Sequence, residues 1–282
     1  MNAVPQGMLW PRTVDEATAM LAGDPDARPL AGGATLVAMM NARVLEPLTL
    51  VNLSRIAELR GIRAAADGAL RIGAFTRHAE TAACALLRGS ATVVRQAASK
   101  IANATVRNMG TIGGSISFAD PGLDYPPALV AAGASVEIAG VSGRRQVAAA
   151  DFFVDWYTTA LEPGEIVTAV LFSAPRPCRT SYVKHARVAG DYATASAAVC
   201  IDADGPVRAV IGSCGPTPVR DDAADALLSG DRSEAAIARA AALLEAHADP
   251  LDDVRGSAEY RRLLIPRLLL RAVRRAESDT DA

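Results

Sequence analysis

The sequence predicts an α+β chain built in more than one lobe, and three observations carry that prediction. At 282 residues the chain is longer than one typical domain. Its strand-like and helix-like runs are mixed, and its β–loop–α–β unit, over roughly 28–53, is too short for a complete doubly wound domain. Its texture changes twice, near residue 55 and at Pro175-Arg176-Pro177. The expected organisation is an N-terminal α/β lobe over 1–55, a second α+β lobe over 56–175 and a C-terminal α+β domain over 176–282.

The elements follow in order. Residues 13–23 read as a helix, with Thr13 as cap, Glu16 three residues on, and Ala17, Met20 and Leu21 on one face. Arg28-Pro29-Leu30 leads into a glycine loop, and Thr35 to Ala42 reads as a helix whose N-terminus faces whatever the loop binds. Leu48 to Leu53 is β-rich. After the Asp67-Gly68 turn, Leu70 to Ala74 reads as a strand, and alanine-rich helical stretches cover 78–87 and 91–103. A second glycine loop precedes a helix over 125–132 that carries Pro126-Pro127 near its start. Ser135 to Ala139 alternates like a strand, Gly140 to Gly143 turns, and Ile166 to Phe172 is a further strand. In the last third, Thr180–Lys184, Ala195–Asp202 and Val207–Ser213 read as strands, and Asp221–Leu228 and Ser233–His247 as helices. The second of these helices carries a stripe of Ile237, Ala240, Leu243, Leu244 and His247. A final helix over Glu259–Arg275 presents Leu263, Leu264, Leu268 and Leu270, with a kink or break expected at Pro266 and a frayed tail from Glu277.

Composition narrows the function. A net charge of −2 gives no electrostatic case for nucleic acid or a membrane surface. No apolar run approaches the 18 residues of a membrane-spanning helix, and the first residues lack the pattern of a signal peptide, so the expected location is cytoplasmic. Half of the residues are hydrophobic, a figure raised by alanine, and 4% are aromatic. Cys84, Cys178, Cys200 and Cys214 form no Cys-x-x-Cys, and His78, His185 and His247 are scattered. No metal or iron–sulfur site is expected on this chain, and the thiols read as reduced and mostly buried. With no nucleophile–base pair in view, hydrolase chemistry has no support and His78 and His185 read as structural.

Two glycine segments carry the chemistry. Gly110-Thr111-Ile112-Gly113-Gly114-Ser115 holds three glycines and two hydroxyls in six residues. Glycine lets backbone N–H groups approach an anion with no Cβ between, so the segment reads as a cradle for a pyrophosphate. Leu30-Ala31-Gly32-Gly33-Ala34-Thr35-Leu36 reads as a second cradle. Either alone reads equally as a tight turn, and neither is a P-loop or a G-x-G-x-x-G fingerprint. Asp124, on a Pro/Gly-rich turn, is placed to accept hydrogen bonds from a ribitol or ribose.

Ala-Gly-Gly-x-Thr at 31–35 and Thr-Ile-Gly-Gly-Ser at 111–115 are accompanied, in order, by Val14-Asp15-Glu16-Ala17, Leu59-Arg60-Gly61-Ile62, Ile72-Gly73-Ala74 with Thr76, and Val106-Arg107-Asn108. Then come Asp151-Phe152-Phe153, Leu161 to Ile166, Gly190-Asp191-Tyr192-Ala193 and Arg255-Gly256-Ser257-Ala258-Glu259-Tyr260-Arg261-Arg262. On these residues the chain resembles, over nearly its whole length, the FAD-binding medium subunit of the molybdenum hydroxylases, the family of carbon monoxide, xanthine and aldehyde or N-heterocycle dehydrogenases. The resemblance implies a two-lobed FAD-binding domain of the vanillyl-alcohol-oxidase-like (PCMH-type) class. A C-terminal domain of the CO-dehydrogenase-flavoprotein type, with a small antiparallel sheet and helices, would follow it.

The same resemblance implies an electron-transfer subunit. Electrons would come from [2Fe–2S] clusters on a small partner subunit and pass through FAD to NAD, a quinone, oxygen or another acceptor. A large molybdopterin subunit would hydroxylate the substrate, in a heterotrimer or a dimer of heterotrimers. It implies FAD contacts for both glycine segments, for Thr111, Asp124, Ile101, and Ile166 or Val167, for Lys184 as a cation favouring anionic reduced flavin, and for Tyr192 as a shield over one flavin face. Ile101, Ile166, Val167 and Tyr192 also read as plain core residues, and Lys184 as a solvated one. Ser115 departs from the Asn or Asp often found there. The alternatives are a self-contained FAD oxidase, which would need its own acid–base residue, and a flavin-free scaffold.

Overall fold

The computed structural model describes residues 7–46 and 49–278; the expected strand residue Leu48, the first six residues and the tail from Asp279 lie outside them. The first unit is β1 (Gly7–Leu9), α1 (Val14–Gly23), β2 (Ala27–Leu30), α2 (Leu36–Asn41) and β3 (Thr49–Asn52). Its three strands are parallel in the order β1–β3–β2. Thr13 caps α1 by accepting from the Glu16 N–H at 3.1 Å, and Val14, Ala17 and Leu21 bury the apolar face.

The middle of the chain forms β4 (Ile62–Ala64), β5 (Leu70–Gly73), α3 (His78–Ala83), α4 (Thr92–Lys100), α5 (Ala104–Met109), α6 (Ile112–Phe118) and α7 (Tyr125–Ala132). It continues through β6 (Ser135–Gly140), β7 (Gly143–Ala148), α8 (Ala149–Phe152), β8 (Phe153–Asp155), β9 (Thr158–Thr159) and β10 (Ile166–Phe172). Five strands make an antiparallel sheet in the order β4–β5–β10–β6–β7. The expected helices are shorter and more numerous. The helix expected over 91–103 ends as α4 at Lys100, because Ala102 takes a left-handed φ of 39°, and Asn103 caps a separate helix, α5, beyond it. Every residue of α7 is buried, as its uninterrupted apolar sequence requires.

The last third is β11 (Cys178–His185), β12 (Ala195–Asp202), β13 (Val207–Gly212), α9 (Asp222–Gly230), α10 (Glu234–Ala246) and α11 (Ala258–Glu277). The three strands are antiparallel in chain order and covered on both faces. Tyr182, Ala198, Cys200 and Val210 join the large core around α4 and α7. Val183, Ala197, Val199, Ile201 and Ile211 pack with α10 and α11 in a second core. The α+β class with a small antiparallel C-terminal sheet is thus the one the sequence predicts.

Three expectations about helices need correction. Helix α11 runs unbroken through Pro266, which lies on its exposed side; burial along the helix comes from Leu264, Ile265, Leu268 and Leu269, while Leu263 is 54% exposed. The buried stripe of α10 is Ile237, Ala240, Ala241 and Leu244, with Leu243 and His247 outside it. Glu277, expected in a frayed tail, is the last helical residue and pairs with Arg232 and Arg274.

Candidate functional site

A cleft of about 470 Å³ opens between the N-terminal unit, the segment around α6 and strand β11, a size usual for ligand sites. Of the residues expected from the sequence, Ala31, Gly32, Gly33, Ala34, Thr35, Leu36, Ile101, Thr111, Gly113, Gly114, Ser115, Asp124, Ile166, Val167, Lys184 and Tyr192 all line it. Leu30 does not, being the last residue of β2; nor does Ile112, which is fully buried in the core.

The first glycine segment connects β2 to α2. Gly33 has φ +76°, which turns the chain from the strand into the helix. A Cβ on Gly32 would run into the Met109 carbonyl oxygen, so this loop is pressed against the end of α5. The N–H groups of Gly32, Gly33, Ala34 and Thr35 have no acceptor among the described residues, and Thr35 gives α2 no side-chain cap. Successive free N–H groups beside a cleft suit an anion.

The second segment is built differently. Residues 112–118 are helix, not loop, and Thr111 is the N-cap. The N–H groups of Ile112 and Gly113 are bonded to the carbonyls of Thr76 and Ala74 at 3.0 and 2.9 Å. That of Ser115 goes to the Thr111 carbonyl at 3.0 Å, and that of Gly114 to Thr111 Oγ1 at 3.2 Å. The backbone donors of Ile112 to Ser115 are therefore committed, contrary to the expected free cradle. Gly113 is needed for packing instead, since a Cβ there would lie 2.5 Å from that of Ala74. What this segment offers the cleft is its hydroxyls and a flat backbone surface.

The polar wall comes from two distant stretches. Lys184 Nζ donates to Asp124 Oδ2 at 2.9 Å and to the Lys100 carbonyl at 3.2 Å; Tyr182 Oη donates to Asp124 Oδ1 at 2.7 Å. The Lys184 and Asp124 side chains are 8% and 6% exposed. Burial pushes the Asp124 carboxyl above its usual value, against the opposing pull of Lys184 and Tyr182. Because the ammonium is paired, it presents a neutralised donor more than the bare cation expected from the sequence, with one N–H left for a ligand. Alternation along β11 puts Thr180, Tyr182 and Lys184 on one face, which delivers both partners to Asp124.

The cleft lining is also apolar in part, through Leu53, Leu59, Phe75, Ile166 and Val167. In the sequence Phe75 has no assigned role and His78 reads as structural, although both adjoin Ile72-Gly73-Ala74 and Thr76, which carry the resemblance. His78 lines the cleft with Nδ1 at 3.1 Å from Tyr125 Oη, and burial, aided by Arg107, lowers it from 6.5 to about 4. The four cysteines are unpaired, three of them buried, and the described residues hold no cluster fit for a metal ion and no helix long and apolar enough to cross a membrane.

Comparison with known proteins gives the site its context. Residues 4–175 match the model of the FAD binding domain in molybdopterin dehydrogenase, and residues 180–276 that of the CO dehydrogenase flavoprotein C-terminal domain. The chain is 38% identical over 277 residues to the carbon monoxide dehydrogenase medium chain of Afipia carboxidovorans, covering 95% of each. It is 34% identical to the glyceraldehyde dehydrogenase medium chain of Sulfolobus acidocaldarius, covering 92% of this chain and 94% of that one. Among solved structures it resembles a chain of carbon monoxide dehydrogenase from Hydrogenophaga pseudoflava that lacks the Mo-pyranopterin moiety, with a TM-score of 0.93, 34% identity and 99% of both chains covered.

Proposed function

The chain belongs to the family of FAD-binding subunits of the molybdopterin dehydrogenases, and from that membership we propose that it is the electron-transfer flavoprotein subunit of a molybdenum hydroxylase. In this reading it receives electrons from [2Fe–2S] clusters on a small partner subunit and passes them to an external acceptor. A large molybdopterin subunit carries the substrate chemistry, in a heterotrimer or a dimer of heterotrimers. Relatives of similar identity are named for carbon monoxide and for glyceraldehyde, which fits a substrate site on another chain. A cytoplasmic setting fits the four unpaired thiols. The divisions at 55/56 and 175/176 belong to the same reading.

The observation that carries the proposal is the row of N–H groups from Gly32 to Thr35, without acceptors among the described residues, in a cleft that also holds the Asp124–Lys184 pair and apolar side chains. Those donors would hold the pyrophosphate of FAD, with Thr111 and Ser115 adding hydroxyls. The Asp124 carboxylate and the remaining Lys184 N–H would take ribityl or ring polar groups. Leu53, Leu59, Phe75, Ile166 and Val167 would cover a flat ring and exclude water from it. When bound, FAD supplies the exchange between two-electron and one-electron chemistry; the chain supplies binding and orientation.

Purified as the full chain or its complex, the protein should be yellow and release FAD intact on denaturation. Under anaerobic conditions the chain alone should leave its flavin oxidised when mixed with carbon monoxide, aldehydes or N-heterocycles. Reduction by one of these should appear only after a [2Fe–2S] subunit and a molybdopterin subunit are restored. A colourless chain that takes up no added FAD would overturn the binding reading, and rapid reduction without partners would overturn the subunit reading.

A further inference from the structure

Tyr192 reaches the cleft from the connection between β11 and β12, and the guanidinium of Arg255 lies over its ring with Cζ 4.8 Å from the centroid. Arg255 stands just ahead of α11, in a stretch that the cleft itself does not use. Further contacts join the same two segments. Arg187 donates to the Val254 carbonyl at 2.8 Å, the Thr194 hydroxyl donates to the Arg255 carbonyl at 3.3 Å, and buried Arg261 donates to the Thr194 carbonyl. Residues 187–194 are thus strapped to 254–261 on both sides of Tyr192.

Arg255 is held on several sides. Its backbone N–H takes Asp253 Oδ1 at 2.8 Å, and its side chain reaches Asp253 Oδ2 at 3.4 Å. Its Nε is 3.7 Å from Asp191 Oδ1, too far for a hydrogen bond, and is buried without a partner. An arginine free to turn outward would satisfy that donor with water. The ion pairs with Asp253 and Asp191 and the face of Tyr192 together hold the guanidinium in place with that donor unpaired.

We infer that Arg255 is a positioning residue: it fixes Tyr192 at the cleft wall, so that the C-terminal strap sets how far a bound cofactor's ring system faces solvent and an external electron acceptor. The inference rests on the FAD reading above. Its test uses the FAD-loaded full chain, with Arg255→Ala, Arg255→Lys, Tyr192→Leu and the double variant Tyr192→Leu/Arg255→Ala, and reads the emission yield of the flavin. A tyrosine ring held against flavin quenches that emission. Arg255→Ala should raise the yield roughly two- to fivefold, the range of an exposed cation–π contact. Arg255→Lys should restore most of the quenching, and Arg255→Ala should change nothing when Tyr192 is already Leu. Unchanged emission in Arg255→Ala, or an equal change in both backgrounds, overturns the inference.

A second measurement needs no cofactor. Tryptic cleavage after Arg187 in the apo chain should quicken roughly two- to fivefold in Arg255→Ala and much less in Arg255→Lys. Equal rates in wild type and Arg255→Ala overturn the strap. If the wild type takes up no FAD while the proteolytic difference is present, the strap is supported and the cofactor reading fails.

Discussion

Replacing Gly33 with alanine tests whether the first glycine segment is an anion cradle or only a turn. At φ +76° a Cβ carries a left-handed penalty of about 1–2 kcal/mol. The new methyl would meet Val37 Cγ2 at 3.2 Å and Leu30 Cδ1 at 3.6 Å, side-chain ends that can shift. Strain is therefore the main effect, and it emerges in one of two places. If the free loop keeps its shape, folding stability falls by about 1–2 kcal/mol, a few degrees in Tm for a chain of this size. If the free loop relaxes, it must be pulled back on binding, and the Kd for FAD rises about 5- to 30-fold. Isothermal titration with FAD and a thermal melt on the same samples capture both, and together they should account for about 1–2 kcal/mol. Gly114→Ala is the counterpart: its backbone is helical, its N–H is used locally, and its Cβ would lie 3.1 Å from Thr111 Oγ1 and 3.6 Å from the Ala31 Cβ. A change of less than about threefold in Kd is expected there. Gly33→Ala indistinguishable from wild type in both measurements, or a larger loss of binding from Gly114→Ala, would refute the reasoning.

Two other perturbations follow from the site. Lys184→Met leaves Asp124 buried beside Tyr182 with no counter-charge and should cost about 3–5 kcal/mol in denaturant melts; adding Asp124→Asn should recover part of that loss, and no recovery would mean the pair does not matter as a pair. His78 is held neutral in the fold at about 4 against 6.5 when unfolded, so the unfolded chain binds the extra proton. Its contribution is intact above about pH 6.5, is lost as pH falls toward 4, and amounts to about 3 kcal/mol. His78→Gln should flatten the fall of Tm between pH 6.5 and 4, and an unchanged slope would show that other groups govern it.

Much of this was legible in the sequence, and what was missed shares one cause. Strands such as Ile166–Phe172 and Ala195–Asp202 declare themselves through largely apolar runs, because both faces of their sheets are covered. The residues picked for the cleft nearly all line it, because small, hydroxylic and acidic residues at turns are local signals. The two glycine pairs look alike in sequence yet differ in role: Gly33 answers to its own φ, whereas Gly113 answers to Ala74, across the fold. The pairing of Lys184, the burial of His78 and the stacking of Arg255 on Tyr192 likewise depend on long-range partners. Pro266 misled for a related reason, since a proline on the exposed side of a long, well-buried helix does not have to end it.

The route by which Asp124 obtains its partners bears on how the chain is made. On the ribosome Asp124 appears 58 residues before Tyr182 and 60 before Lys184, an interval of several seconds at ordinary rates of synthesis. Throughout that interval the nascent chain holds both glycine segments but an unfinished polar wall. The apolar side of α7 that will meet β12 and β13 is also still uncovered. The strap on Tyr192 comes later still, when residues 254–261 have been added. The complete polar wall and the contact on Tyr192 therefore exist only once the last third has been made. Until β12 and β13 are made, the side of α7 that they cover is an exposed apolar surface.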